Sequence, residues 1–422
     1  MLSKTTHASL AVDAADVDAA ADRLAGRVAR SPLTYSERLS AASGAQVWLK
    51  REDQQQVRSY KCRGATNFIA QLSDDQQRLG VVCASAGNHA QGVAFACAQL
   101  GVSARIYLPR TTPRQKRDRV AALGGAFVDI VVGGDNYDAA AAAAAAYAQE
   151  SGLTLVPPFD HPMTIAGQGT MIAEIMDDLP QPPDVVVVPV GGGGLIAGAS
   201  AYLKDRHPHV RLIGAEPTGA ASMTAALAAD GPVQLPEVDA FVDGAAVRRA
   251  GDVTYPLVKA ARAQMVTVPE GRICVEMLAL YQTEGIIAEP AGALASAALD
   301  QIDLSPGQCV VAILSGGNND VLRYAEVMER ALVHEGRKHY FLVNFPQEPG
   351  ALRRFLDEIL GPDDDIALFE YVKRSNREIG PALVGIELGS PSDLGPLMER
   401  MRGSSITVEQ IPPDSPMFRF IQ

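Results

Sequence analysis

Four consecutive glycines, Gly191 to Gly194, stand between the apolar run DVVVVPV (184–190) and the Ala-rich segment LIAGASAYLKD. A β-branched run without polar alternation suits a strand buried on both faces of a parallel sheet, and such a strand is followed by a crossover, usually a helix. One or two glycines would suffice for that turn. Four let the backbone come against a ligand, and their N–H groups with the positive end of the next helix form a cradle for phosphate. The chain is thereby directed to an α/β fold whose ligand lies beyond the carboxyl ends of the strands.

The same pattern recurs upstream and downstream. VVCAS (81–85), ARIYLP (104–109), AFVDIVV (126–132), RLIGAE (211–216) and CVVAILS (309–315) are further unalternating runs, with candidate crossover helices such as GNHAQGVAFACAQLG between them. Residues 45 to 320 therefore predict open, doubly wound sheets. The alanine run from Ala139 to Ala146, with Asn136 or Asp138 as cap, predicts an ordinary surface helix. After about residue 330 the texture changes: KHYFLVNF (338–345), DIALFEYVKR (365–374), PALVGIEL (381–388) and SITVEQI (405–411) read as strands. PGALRRFLDEIL (349–360) and DLGPLMERMR (393–402) read as helices, which completes the β-α-β-β-α-β order of a ferredoxin-like α+β domain. Two domains are expected, 1–330 and 338–422, with a linker between Tyr324 and Lys338.

Composition narrows the partners. With 47% hydrophobic and 20% charged residues, whole-chain disorder is excluded. The net charge of -12 and the lack of any basic stripe speak against nucleic acid. The cysteines Cys62, Cys83, Cys97, Cys274 and Cys309 are scattered and odd in number, as expected of reduced thiols rather than a disulfide framework or a zinc site. The first thirty residues carry Asp13, Asp16, Asp18 and Asp22 and no apolar core of a signal, and no run approaches the roughly 20 residues of a membrane span. A soluble cytoplasmic protein, off the membrane, is expected.

Three further segments carry chemistry. In SYKCRGA (59–65), Lys61 lies where a helix should begin, either as a solvated lysine or as an amine that bonds a carbonyl cofactor. In CASAGNHAQGVA (83–94) a strand turns through Ser85, Ala86 and Gly87 into a helix near Asn88. Its N–H groups suit a carboxylate and Asn88 offers an amide to a ring oxygen; otherwise it is an Asn-capped helix with a surface His89. In LSGGNND (314–320), Ser315 at a strand tip can pair with a pyridine nitrogen or cap a turn. A rival reading is a dinucleotide site, since Gly192-x-Gly194-x-x-Ala197 fits G-x-G-x-x-A and Glu216 ends the next strand.

Together, SYKCRGA, SAGNHAQG, GGGGL, EPAGA (289–293) and SGGN resemble the fold-type II pyridoxal phosphate enzymes, and within them the threonine dehydratases, over about residues 20 to 330. The resemblance implies two doubly wound subdomains and pyridoxal 5'-phosphate as cofactor. Lys61 would be its Schiff-base lysine, Asn88 the partner of the ring hydroxyl, Gly191, Gly192, Gly193 and Gly194 the phosphate cup, and Ser315 the partner of the pyridine nitrogen. Ser85, Ala86, Gly87, Asn88 and His89 would receive the substrate. A neutral serine at the nitrogen makes the ring a weaker electron sink than an aspartate would, which suits β-elimination of L-threonine to 2-oxobutanoate and ammonia, and of L-serine to pyruvate.

The tail is similar to the ACT-like regulatory domain of the biosynthetic enzymes, in one copy, and this implies a first step of isoleucine synthesis inhibited by isoleucine. Asn344, Phe345, Gly350 and Leu352 would form the effector turn, and a homo-oligomer, dimer or tetramer, is expected. In racemase-like relatives a serine should precede the glycine of the GNH turn; here Ala86 stands there, which disfavours racemisation. The same relatives suggest a monovalent or divalent cation on Glu216 and the Ala220 carbonyl. The competing readings are a serine racemase or serine dehydratase, an NAD-dependent oxidoreductase on Gly192, Gly194 and Glu216, and a non-catalytic amino-acid sensor.

Overall fold

The computed structural model describes residues 12–346, 348–371, 379–413 and 415–421. The chain divides into two compact units, Met1–Asp320 and Val321–Gln422.

The first unit holds two sheets. The strands are β1 (Leu33–Tyr35), β2 (Gln46–Arg51), β3 (Val81–Ala84), β4 (Ala104–Leu108), β5 (Val128–Val132), β6 (Thr154–Leu155), β7 (Val185–Pro189), β8 (Arg211–Pro217), β9 (Gln264–Val268) and β10 (Cys309–Leu314). They form a six-stranded sheet in the order β1-β2-β10-β7-β8-β9 and a four-stranded sheet in the order β5-β4-β3-β6. Every pairing is parallel except β1 with β2. The six unalternating runs became β3, β4, β5, β7, β8 and β10. All five residues of β7 are buried, as a strand covered on both faces requires. Val186 and Val188 pack in one cluster with Ile165, Met171 and Ile172 of the helix Pro162–Asp178 and with Leu195 and Ile196 of the helix Gly194–Arg206. The smaller sheet has its own core, where Cys83 and Ile106 meet Phe68 and Ile69 of the helix Lys61–Ile69 and Val93 and Cys97 of the helix Asn88–Leu100.

The alanine run forms the helix Tyr137–Ser151, and Asn136 caps it by accepting from the Ala139 N–H at 2.9 Å. Only Ala140 and Ala144 are buried in it, one turn apart, and they lie on Val82 and Ala84 of β3. All five cysteines are free and four are buried.

The second unit has strands β11 (Lys338–Pro346), β12 (Asp365–Tyr371), β13 (Ile379–Glu387) and β14 (Thr407–Ile411), in the antiparallel order β12-β13-β11-β14. Of the expected strand 365–374, Val372, Lys373 and Arg374 lie outside the described residues, as does Gln347 of PQEPG. One face packs Phe341, Val343, Phe345, Val384 and Ile386 against Phe355, Leu397 and Met401. The stretch between Tyr324 and Lys338, expected to be a linker, holds the helix Tyr324–His334 with Val327 and Ala331 buried at i, i+4 spacing. Its Val333 packs with Tyr340, Ile411 and Phe418 on the other face, so this segment is an element of the second unit.

Candidate active site

Lys61 opens the helix Lys61–Ile69. Its amine Nζ donates to the Pro158 carbonyl at 3.1 Å. The residue before it is tied to β10, because the Tyr60 N–H donates to the Ser315 carbonyl at 3.2 Å and Ser59 bridges Gly316. Two residues beyond Lys61, the Arg63 guanidinium is buried. Its Nε and Nη2 bond Glu52 at 2.9 and 2.7 Å, and its Nη1 and Nη2 bond Glu174 at 2.6 and 2.9 Å. Lys50, also buried, reaches Glu174 at 2.8 Å and Asp178 at 3.2 Å. Deleting one member of such a buried set leaves an unpaired charge, at a cost of about 3–5 kcal/mol. The lysine therefore projects from a helix that is held rigidly at its first turn.

The tetraglycine turn follows β7. Gly193 has φ +94, a left-handed conformation that favours glycine, and the helix Gly194–Arg206 begins without a side-chain cap. No side chain fits here. A Cβ on Gly191 would stand 3.0 Å from Ala245, one on Gly192 would strike the Phe159 ring, one on Gly193 would stand 2.5 Å from Met223 Cε, and one on Gly194 would stand 2.8 Å from Phe159 Cβ. An uncapped helix N-terminus behind bare backbone presents free N–H groups of the kind that can receive an anion.

Asn88 begins the helix after β3. Its Nδ2 donates to Glu289 Oε1 at 2.5 Å, and its Oδ1 accepts from Asn318 Nδ2 at 2.7 Å. Ser315 is buried at the tip of β10, with Oγ donating to the Ala291 carbonyl at 3.1 Å. The turns that end β3 and β10 thus meet through Asn88 and Asn318, beside the helix Pro290–Ala297. In the Ser85–Gly87 turn, partly exposed like Ala86, Ser85 Oγ accepts from the Gly87 N–H at 3.2 Å.

His89 is not a surface residue. It is buried, its Nε2 lies 3.0 Å from the Val156 carbonyl, and burial together with the charge of Lys61 pushes its pKa down to about 3. The ring is neutral and packs the turn; it does not face outward. Glu216 is likewise no surface strand-end residue. It is fully buried, and its carboxylate accepts from the Met223 and Thr224 N–H groups at 2.7 and 2.9 Å and from Thr224 Oγ1 at 2.6 Å. Burial raises its pKa, with these bonds opposing. Three of its acceptor positions are taken by the helix Ser222–Ala228, and Ala220 beside it is buried. Among the described residues no group of three or more His, Cys, Asp or Glu side chains converges as metal ligands.

Sequence reasoning missed three contributors. Glu289 stood inside EPAGA without a role; burial, then the charge of Asp243, pushes its carboxyl up to about 7, against the Asn88 bond. Asn318 was passed over within SGGNND. The segment 156–161 bonds His89 through Val156, Lys61 through Pro158, and lines Gly192 and Gly194 through Phe159. Its one sequence signal was the Asp-His-Pro that starts a helix, with His161 accepting from the Met163 N–H.

A phosphorylated aldehyde cofactor fits these residues. The amine, the bare glycine cup and the serine are linked through Pro158, Phe159 and Tyr60, and among the described residues Ser59 Oγ and both amide atoms of Asn319 are buried without a hydrogen-bond partner, polar groups that a bound molecule could satisfy.

In the second unit a cavity of about 430 Å³ is lined by residues that include Phe345, Glu348, Gly350, Leu352, Phe369 and Tyr371. Phe345 makes edge contacts with Phe355, Phe369 and Tyr371 at 5.3, 6.0 and 5.6 Å between ring centres. Asn344 is not part of the lining; it sits mid-sheet, opposite Pro381 and Thr407. After Gly350 the α-helix lasts only from Ala351 to Arg354 before a π-turn, Phe355–Ile359.

Comparison with known proteins agrees with this division. Residues 24–316 match the family described as pyridoxal-phosphate dependent enzyme, and residues 329–421 match the C-terminal regulatory domain of threonine dehydratase. The chain is 60% identical over 409 residues to the biosynthetic L-threonine dehydratase IlvA of Mycobacterium tuberculosis (strain ATCC 25618 / H37Rv), covering 96% of this chain and 95% of that one. Among solved structures, the processed form of threonine deaminase isoform 2 from Solanum lycopersicum is 38% identical, with a TM-score of 0.71 over 78% of this chain and 99% of that one. Maize serine racemase is 32% identical, with a TM-score of 0.70 over 77% of this chain and 99% of its own.

Proposed function

The chain belongs to the pyridoxal-phosphate-dependent enzymes, among the biosynthetic threonine dehydratases, and on that premise we propose that it converts L-threonine to 2-oxobutanoate and ammonia. L-Serine would give pyruvate as a secondary product. The observation that supports this reading most directly is the meeting of segments far apart in the chain: Lys61 against Pro158, Phe159 against the glycine cup, Asn88 against Asn318, and Tyr60 against Ser315.

Lys61 would hold the cofactor's aldehyde carbon, Gly191 to Gly194 its phosphate, Asn88 its ring hydroxyl and Ser315 its pyridine nitrogen. When bound, the cofactor supplies the sink for the electrons of the substrate's Cα–H bond. The rest of the chemistry rests on the chain. With the cofactor bound, the Lys61 amine would be the group that accepts the Cα proton; the Pro158 carbonyl anchors that side chain. The turn Ser85 to Asn88, at the N-terminus of the helix Asn88–Leu100, receives the substrate carboxylate on backbone N–H groups. Loss of the β-hydroxyl as water, then uptake of one water with release of ammonia, balances the reaction. Ser315, a neutral hydroxyl, would meet the ring nitrogen without forcing a proton onto it, and the weaker electron sink so supplied would suit β-elimination. Ala86 offers no group to return a proton to the opposite face, so L-serine should yield pyruvate and no D-serine.

We place catalysis within the first unit, residues 1–320, and effector sensing within the second, residues 321–422, in a cytoplasmic homo-oligomer. Isoleucine fits the second cavity, where Phe345, Leu352 and Phe369 can enclose a branched side chain. With Glu216 occupied by its own helix, the oxidoreductase reading loses its ribose contact. Release of 2-oxo acid from L-threonine and L-serine, each with and without isoleucine, tests the whole reading. Lys61→Ala should lower turnover at least about 10³-fold with an unchanged circular dichroism spectrum. A Lys61→Ala enzyme that releases 2-oxobutanoate near the wild-type rate sinks the assignment.

A further inference from the structure

The glycine cup has an unusual weakness. Peptide planes between glycines flip easily, and a cup of four of them has no side chain of its own to hold a chosen orientation. Something outside it must do so, and the neighbouring contacts single out two residues.

Asp160 follows Phe159 in the segment 156–161. Its carboxylate accepts from three successive backbone N–H groups, Asp252 at 2.9 Å, Val253 at 2.8 Å and Thr254 at 3.2 Å. These open the helix Thr254–Ala260, which has no cap from its own N-cap residue. Thr254 is fully buried, and its Oγ1 donates to the Gly192 carbonyl at 2.8 Å; the Gly251 N–H donates to the same carbonyl at 3.2 Å. Gly251 admits no Cβ, because one would strike the Asp160 carboxylate. The Gly192 carbonyl is thus pulled by two donors on a segment that Asp160 pins.

In a planar trans peptide, the carbonyl of one residue and the N–H of the next point in opposite directions. Fixing the Gly192 carbonyl toward Thr254 therefore points the Gly193 N–H the opposite way, away from Thr254. We propose that Asp160 and Thr254 are positioning residues for the phosphate cup: they choose the orientation of the Gly192–Gly193 peptide and so set how strongly the cofactor phosphate is held. The proposal rests on the cofactor reading above. It extends that reading to two side chains that touch neither phosphate nor substrate, and it gives the segment Pro158-Phe159-Asp160 one task, spacing the lysine anchor from the cup.

The test isolates the phosphate. The full-length protein, stripped of cofactor, is titrated with pyridoxal 5'-phosphate and with pyridoxal, and the ratio of the two dissociation constants measures what the phosphate contributes. Wild type should prefer the phosphorylated form strongly. Asp160→Asn, which sets an amide N–H against backbone N–H donors, and Thr254→Val, which is isosteric, should each reduce that ratio by roughly tenfold, the scale of one lost charge-assisted or buried hydrogen bond. Affinity for pyridoxal itself should stay within about twofold, and Thr254→Ser should restore the wild-type ratio. Should Asp160→Asn fail to fold, Thr254→Val and Thr254→Ser decide the matter alone. A wild-type ratio retained by Thr254→Val overturns the clamp, as does an equal loss for both probes, which marks a general structural role. A wild-type ratio near one overturns the cofactor reading itself, and is distinguishable because it appears before any substitution.

Discussion

Gly193 and Gly350 both precede a helix with left-handed backbone, φ +94 and +88, and neither helix is capped by a side chain. Around Gly193 the space is closed: a Cβ would meet Met223 and Thr254, and Phe159 lies across the flanking glycines. Around Gly350 the nearest atom to a Cβ would be Arg354 Nη1 at 3.6 Å, and the α-helix that follows ends after one turn. Local conformation is shared and the surroundings differ. A strand-to-helix turn becomes a fixed cup for an anion only where neighbours from distant parts of the chain lock it. Left unlocked, it remains an open edge of an apolar cavity.

Exchanging the glycines tests this contrast most severely. Gly193→Ala adds a left-handed penalty of roughly 1–2 kcal/mol to a collision with Met223, and should lower cofactor content and threonine turnover by about 30-fold or more. Gly350→Ala should carry the backbone penalty alone and leave turnover without isoleucine unchanged. Equal losses of turnover in the two variants would erase the contrast. A smaller effect is expected at the cavity: Leu352→Asp puts a charge among Phe345, Phe369 and Tyr371, and should abolish a roughly 5- to 150-fold isoleucine effect while basal turnover is kept. Inhibition undiminished in Leu352→Asp would place the effector elsewhere.

The smallest expected effect is a titration inside the first unit. Glu289, which accepts from Asn88 beyond the end of β3, is buried and raised to about 7 from 4.5. A carboxyl whose folded pKa lies above its unfolded one contributes stability that is complete below pH 4.5 and is lost as pH rises through about 7. The loss should amount to about 1–3 kcal/mol, and melting curves of Glu289→Gln should lack that decline. A decline of the same size in wild type and Glu289→Gln would assign it to other groups.

Much of the first unit was legible because its signals are local. DVVVVPV, the Asn136 cap of the alanine helix and the glycines at strand ends each state their structure within a dozen residues. What escaped is long-range. Nothing near His89 in the chain says that Val156 will accept from it, and Glu216 reads as a strand-end acid until its helix at Ser222 folds back onto it. Asp160 looks like a helix-start residue, yet its carboxylate serves a different helix, at 252–254. The helix Tyr324–His334 has apolar residues of its own, Val327, Ala331 and Val333 among them, but the strands it packs on lie downstream at 338–346 and 407–411, so its membership of the second unit is a long-range fact too.

The pairing of β2 with β10 bears on biosynthesis. Residues 46–51 lie beside residues 309–314, while β3 to β6 complete their sheet from one continuous stretch of chain. On a ribosome adding about 5–20 residues per second, the smaller sheet can close early, but β2 waits on the order of tens of seconds for its neighbour. Until β10 emerges, Tyr60 lacks the Ser315 carbonyl that fixes the residue before Lys61, and Asn88 lacks Asn318. Cofactor capture is thereby deferred to the last strand of the first unit, and until then one edge of β2 stands open.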